Sequence, residues 1–248
     1  MSNYASLQGK VLVATYGSND FREVGNAPDF SLSPTSKDIK HHESWTGQRS
    51  IDKVVTTETE HKVAATLEDF SKDNLALALW GTAITKALGT VTTSAPDVSD
   101  AGLTVGSIWG LSHGKVSAVV VKDSADVTVD AADYEVNAKY GSIKILNLPT
   151  GLDAYALPLK ATYSYGATDV VSLLNAPAQE IAVRFEGINT VNNQAMLAVL
   201  YRVRLDVTKK LDLIGNDIMK FVLDGTCLVD ATKPVDGELG QFGYISYL

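Results

Sequence analysis

Apolar and polar residues alternate with a period of two along most of this chain, the pattern of strands with one buried and one solvated face. Lys10–Tyr16 reads as a first strand. Ile51–Leu67, rich in Val and Thr, reads as one long strand or a strand pair. The clearest case lies late in the chain, where Tyr201, Val203, Leu205 and Val207 alternate with Arg202, Arg204, Asp206 and Thr208. One face of that strand is expected to be buried and the other to meet solvent or a subunit.

Helical signals are fewer. Thr66-x-x-Asp69 and Ser71-x-x-Asn74 offer side-chain oxygens to the free amides of a helix start, and Leu75, Leu77 and Leu79 follow among alanines before Gly81. Leu and Ala favour helix over the strand that their alternation would also allow, so a helix is predicted over 71–80. Thr208–Lys220 contains Gly215-Asn216 and reads as a loop with at most a helical turn. Thr90–Gly102, rich in Thr, Ser, Ala and Asp, reads as a surface linker. Beyond it, 115–121, 126–129, 134–136, 142–146 and 159–165 form a run of short strands joined by turn sequences. The expected organisation is therefore a β-domain of residues 1–90 plus 166–248, with 91–165 as an inserted β-domain or extra strands of one sandwich. No fixed-period repeat points to a solenoid or propeller.

Composition narrows the function classes. At 248 residues and 45% hydrophobic content the chain can bury a substantial core, while a net charge of −8 and a pI near 5.0 disfavour tight binding to nucleic acid. Such a surface suits a wall that DNA passes without sticking. Cys227 is the single cysteine, which rules out an intrachain disulfide and zinc-ribbon spacing and fits a reducing compartment. The opening residues from Met1 have no basic region followed by an apolar core, and no apolar stretch approaches membrane-spanning length, so synthesis in the cytosol is expected.

Catalytic chemistry finds little support. His41-His42-Glu43 offers metal-ligand types, but neighbouring strand residues point to opposite faces. Neither a Gly-x-Ser-x-Gly elbow nor a phosphate-cradling glycine loop occurs. Glu58 and Glu60 share one strand face and so cannot flank a sugar as a glycosidase pair does. They read as an exposed acidic stripe. Trp80 reads as core, whereas Trp45 sits in a polar arm where an amphipathic ring marks an interface. Neither an enzyme nor a cofactor or metal site is expected.

Several blocks together resemble a known family. Gly25-Asn-Ala-Pro28 is followed by His41-His-Glu-Ser-Trp-Thr-Gly47, and Glu68-Asp-Phe70 leads into Asn74-Leu-Ala-Leu-Ala-Leu-Trp-Gly81. The segments 180–189, 200–206 and 210–225 come later in the expected order. In sequence and order these blocks resemble the tail tube proteins of long-tailed bacteriophages. The resemblance covers about three fifths of the chain and leaves 91–165 outside it.

What it implies is a mainly β fold, a β-sandwich or partial barrel with one flanking helix. Six copies form a ring whose sheets join into a continuous barrel, and stacked rings build the hollow tail tube that delivers DNA. The implied partners are further copies of the chain, a tape-measure protein, a tail terminator, baseplate or tail-tip proteins, and a sheath if the tail contracts. The implied place is the virion tail, assembled in the host cytoplasm. The arm at 33–50 becomes the inter-ring contact through His41, Glu43, Trp45, Gly47 and Arg49, ordering on assembly, with Glu58 and Glu60 facing the lumen. Two alternatives stand beside this: the tube of a contractile injection or secretion particle, and a carbohydrate-binding β-sandwich on a virion surface.

Overall fold

The computed structural model describes residues 4–100, 102–151, 154–235 and 238–248. It is mainly β, with several antiparallel sheets and, among the described residues, one α-helix. In chain order the elements are β1 (Leu7–Thr15), β2 (Arg22–Glu23), β3 (Asp29–His42), β4 (Ile51–Leu67), α1 (Lys72–Ala78), β5 (Ala83–Lys86), β6 (Gly89–Val91), β7 (Asp97–Val98) and β8 (Ile108–Gly110). Then come β9 (Val116–Lys122), β10 (Tyr134–Asn137), β11 (Ser142–Ile145), β12 (Lys160–Tyr165), β13 (Thr168–Val171), β14 (Glu180–Asn189), β15 (Ala195–Leu205), β16 (Phe221–Cys227) and β17 (Gly243–Tyr247). They fall into two compact units, residues 1–83 with 171–248 and residues 84–170.

The first unit is built on an eight-stranded sheet of order β2-β1-β14-β15-β16-β4-β3, with β17 pairing the early half of β15 and β16 its late half. Alternation decides which face is inside. Val11, Val13, Val63, Ala65, Leu67, Ile181, Val183, Phe185, Val203, Leu205, Phe221 and Leu223 all point into one cluster, joined by Leu77 and Ala78 of α1. The sheet curls, because Phe30 of β3 at one margin stacks on Phe185 of β14 near the other at 5.5 Å between ring centroids. The α-helix closes one end of this curl, with Phe70 just before it packed edge-on against Phe221.

The helix is shorter than the predicted 71–80. Thr66 lies within β4 and caps nothing, and Ser71 occupies the cap position without a side-chain bond to the helix. Asp69 instead accepts the Ser71 amide at 3.0 Å, and fully buried Asn74 donates to the carbonyls of Val24 and Asp69 while accepting from Arg22 at 2.7 Å. At the other end Trp80 takes a left-handed backbone (φ 46°), which stops the helix. Trp80 is half-buried rather than a core residue. Thr208–Lys220 is loop and turn throughout, while Ile51–Leu67 is one strand of 17 residues.

The second unit carries a three-stranded sheet, β10-β11-β8, and a four-stranded one in which β12 pairs with β6, β7 and β9. Their core holds Trp109, Val121, Ile143, Ile145, Leu159, Ala161 and Tyr163. Two expectations change here. The stretch read as a linker, of which Ala101 lies outside the described residues, takes in most of β6 and all of β7, whose backbones pair with β12. Residues 126–129 make only the bridge Lys122↔Thr128. The carboxylate of Asp123 collects the amides of Ala125, Val127 and Ala156 at 2.8–3.0 Å and bends the chain into a turn.

Candidate functional site: the β3–β4 hairpin and the open end of the sheet

The segment read as an extended arm is a β-hairpin. Leu32↔Val63 and Phe30↔Ala65 pair over the core, and the same ladder runs on to His41↔Lys53 with one extra β4 residue, Thr57, near its middle. Every residue from Leu32 to Thr59 is exposed except Glu43. The distal ribbon therefore has solvent on both faces. It nevertheless carries apolar side chains: Ile39 and Val55 stand opposite each other at 63% and 47% exposure, with Val54 and Ile51 close by.

The tip is organised by Glu43. Its carboxylate accepts the amides of Trp45 and Thr46 at 3.0 Å each and the hydroxyl of Thr46, while its own amide donates to Ser50 across the loop. Hydrogen bonds from the Thr46 hydroxyl and then its amide hold the Glu43 carboxyl below its ordinary value, against the opposing effect of burial. Gly47 (φ 79°) and Arg49 (φ 51°) supply the left-handed positions that bring the chain back. Consequently Trp45 stands outward at 88% exposure.

The sequence-predicted residues thus separate by role. Trp45 and Arg49 are presented to solvent, Gly47 serves the turn, and Glu43 faces inward as its scaffold, not as a contact residue. His41 bonds Asp52 through Nδ1 at 2.5 Å, whereas His42 donates from Nδ1 to the Arg49 carbonyl at 2.9 Å. The two imidazoles engage different partners. Among the described residues no group of three or more His, Cys, Asp or Glu is placed to hold a metal ion.

Glu58 and Glu60 lie on the strand face turned away from the core, since their neighbours His61 and Val63 continue the inner face. Neither stands as a bare charge. Glu58 pairs across the ladder with Lys37 at 3.4 Å, and Glu60 with Lys62 at 3.6 Å. The same outer face carries Arg184–Glu186 (2.7 Å) and Arg202–Glu180 (2.8 Å), so it is a mosaic of paired charges where an acidic stripe was expected.

Sequence reasoning missed the other prominent feature. Within the curl of the sheet lies a cavity of about 1330 Å³, lined by Leu7, Ala27, Phe30, Met196, Ala198, Phe242 and Ile245 among others. Their positions along the chain give no sign of it, since only the curl of the sheet brings them around one space. Cys227 is buried at its floor, where burial pushes the thiol up to about 11 and leaves it protonated and unreactive near neutrality.

No curated protein matches the chain. Residues 4–246, nearly the whole length and both compact units, match the family described as protein of unknown function UCP028589, and the chain belongs to that family.

Proposed function

We propose that this chain is a structural subunit that assembles with copies of itself into the stacked rings of a phage-type tail tube, with DNA passing through the lumen. The observation that carries this is the distal β3–β4 ribbon. A two-stranded ribbon alone in water is marginal at best, and this one exposes Ile39, Val54, Val55 and Trp45 in addition. Exposed apolar surface of this kind marks a face that another protein covers. From Leu32 to Thr59 it also offers the roughly 20–30 residues that one side of a standard protein interface uses.

The edges of the sheet fit the same function. β3 is a 14-residue margin strand, and at the opposite margin β1 is covered by β2 only at Leu12 and Val13. Pro34 and the charges of Lys37, Asp38 and Lys40 on β3 restrain indiscriminate pairing, as edge strands require. Joining such margins between neighbours removes both edges by closure. In that ring the face bearing Glu58 and Glu60 lines the lumen, and Lys37 and Lys62 make the wall charge-balanced. His41, Trp45 and Arg49 reach the next ring.

Negative-stain microscopy and sedimentation of the concentrated, purified chain test this. Hollow rings or tubes are expected, and a chain that stays monomeric at every concentration overturns the proposal.

A further inference from the structure

We propose that the cavity inside the curl of the first unit's sheet binds an amphiphile with a single apolar chain and an anionic head, of the fatty-acid class, with the head beside His61. The assembly proposed above neither requires this nor depends on it.

The cavity follows from which residues face inward. In one half of the sheet the inner rows are filled: Val13 stands opposite Val183 and Ile181 opposite Val203, all buried. Farther along the same strands the rows lose bulk, with Gly9 opposite Gly187 and Phe185 opposite Ala198. Neither glycine can gain a side chain freely. A Cβ on Gly9 would lie 2.2 Å from the Glu186 carbonyl oxygen, and one on Gly187 would lie 2.4 Å from the Phe185 ring. The space is therefore built into the wall by residues with little or no side chain.

Its size suits a chain-like ligand. At about 1330 Å³ it exceeds the roughly 300–1,000 Å³ of small-molecule pockets. Along β1 the lining runs from Leu7 to Val11, about 13 Å at 3.3 Å per residue. Barrels of about eight strands enclose one small ligand, and this curl has that number of strands.

The lining selects the chemistry. Phe30, Leu32, Phe185, Met196, Leu200 and Phe242 form an apolar wall. Water there lacks the polar partners that would hold it, whereas an apolar chain is stabilised by the surface it covers. Although the chain has 29 Asp and Glu, none is among the described residues that line this cavity, where the basic side chains are Lys10 and His61. Exposed Lys10 is taken up by Glu23 at 2.6 Å. His61 is the group left over. Of the four histidines, His41, His42 and His113 bond to other residues. His61 is half-buried with its ring 4.8 Å from that of Phe242, and has no hydrogen bond or ion pair among the described residues. Its cross-strand neighbour Cys227 is a protonated thiol and adds no charge. An imidazole donates from one ring nitrogen when neutral and from both when protonated, so it matches an acceptor head in either state. A cationic head would meet no counter-charge in this lining.

Isothermal titration of the full, delipidated chain with dodecanoate below its micelle concentration tests this, with dodecyltrimethylammonium as the chain-matched cation. Dodecanoate should bind in equimolar ratio and at least about tenfold more tightly than the cation. Ala198→Phe, or Ile245→Trp directly across the ladder from it, occupies the cavity. With circular dichroism and thermal midpoint as in the parent, either should weaken dodecanoate at least about tenfold, and the second serves if the first fails to fold. His61→Leu removes the partner of the head and keeps the wall apolar, so it should weaken dodecanoate about tenfold and leave the cation unchanged. A parent that takes up no dodecanoate overturns the proposal, whether the chain's own Leu213-Ile214 loop or a neighbouring copy fills the space. Filling variants that bind like the parent overturn it too, because they place the ligand on an exposed apolar surface. Equal affinity for the cation, or unchanged affinity in His61→Leu, overturns the anionic head at His61.

Discussion

At its base the β3–β4 ribbon is part of the core. Val63, Ala65 and Leu67 alternate inward and Leu67 is wholly buried, while Phe30 stacks on Phe185. Beyond Glu60 the same two strands stay paired, with a bulge at Thr57, yet nothing covers either face. Local pairing is therefore common to both halves, and only the base has a tertiary partner. Hydrogen bonds of the ladder fix the ribbon's shape, whereas apolar burial supplies the stability. The difference teaches where each half derives its constraint: the base from burial in the chain's own fold, the distal half from its own ladder alone.

The largest effect is expected at the base. Leu67→Ala removes a fully buried side chain from between β4, β16 and α1 and should cost about 2–5 kcal/mol in chemical denaturation. A loss below about 1 kcal/mol would mean that the base is no better packed than the shaft. Asn74→Ala follows. It leaves the Val24 carbonyl and the half-buried Arg22 guanidinium without their partner, at roughly 1–3 kcal/mol.

In the distal half the order of effects reverses. Ile39→Asp with Val55→Asp replaces an exposed cross-strand pair, so the unfolding free energy of the monomer should move by no more than about 0.5 kcal/mol. Self-association, followed by light scattering, should fall sharply. If the pair destabilised the monomer as much as Leu67→Ala does, the distal ribbon would be packed against its own chain, and the contrast between the halves would disappear.

The contrast also explains what could be read from the amino acids. Alternation identified β4, and the inward set Val203 and Leu205 of β15, because a half-buried strand imposes a period of two. It could not identify β6 and β7, two or three residues long, whose place depends on the free side of β12. Nor could it show that Leu213 and Ile214 are exposed, since composition reports that a residue is apolar and not whether the fold supplies a partner. The loss of strict alternation at Val54-Val55 and Thr56-Thr57, and in Lys37–His42, falls where burial stops near Glu60, but strand propensity alone still reads the whole of Ile51–Leu67 as strand. At the tip, the exposure of Trp45 was legible from its polar setting. Glu43 was not legible as a scaffold from its charge, although the spacing Glu43-x-x-Thr46-Gly47 carries the signal: an acceptor followed within three residues by the donors it can gather and a glycine to turn on.

That scaffold gives the smallest effect and a specific sign. The Glu43 carboxyl lies lower in the folded tip than in the unfolded chain, because the Thr46 hydroxyl and amide favour its ionised form. Its contribution to the ordered tip is therefore fully present above the ordinary carboxylate value of 4.5 and is lost as the pH falls through the lowered folded value. Trp45 reports on this directly, being 88% exposed while Trp109 is buried in the other unit. Acrylamide quenching of the Trp45 emission, isolated by comparison with Trp45→Phe, should stay constant from pH 7 to about 4.5 and change below it. In Glu43→Gln the tip should be altered already at pH 7 and respond little to acid, with the thermal midpoint of the whole chain nearly unmoved. Should Glu43→Gln keep the parent's acid transition, the tip would be held by its backbone alone, and Trp45 would owe its outward position to the ladder that also shapes the base.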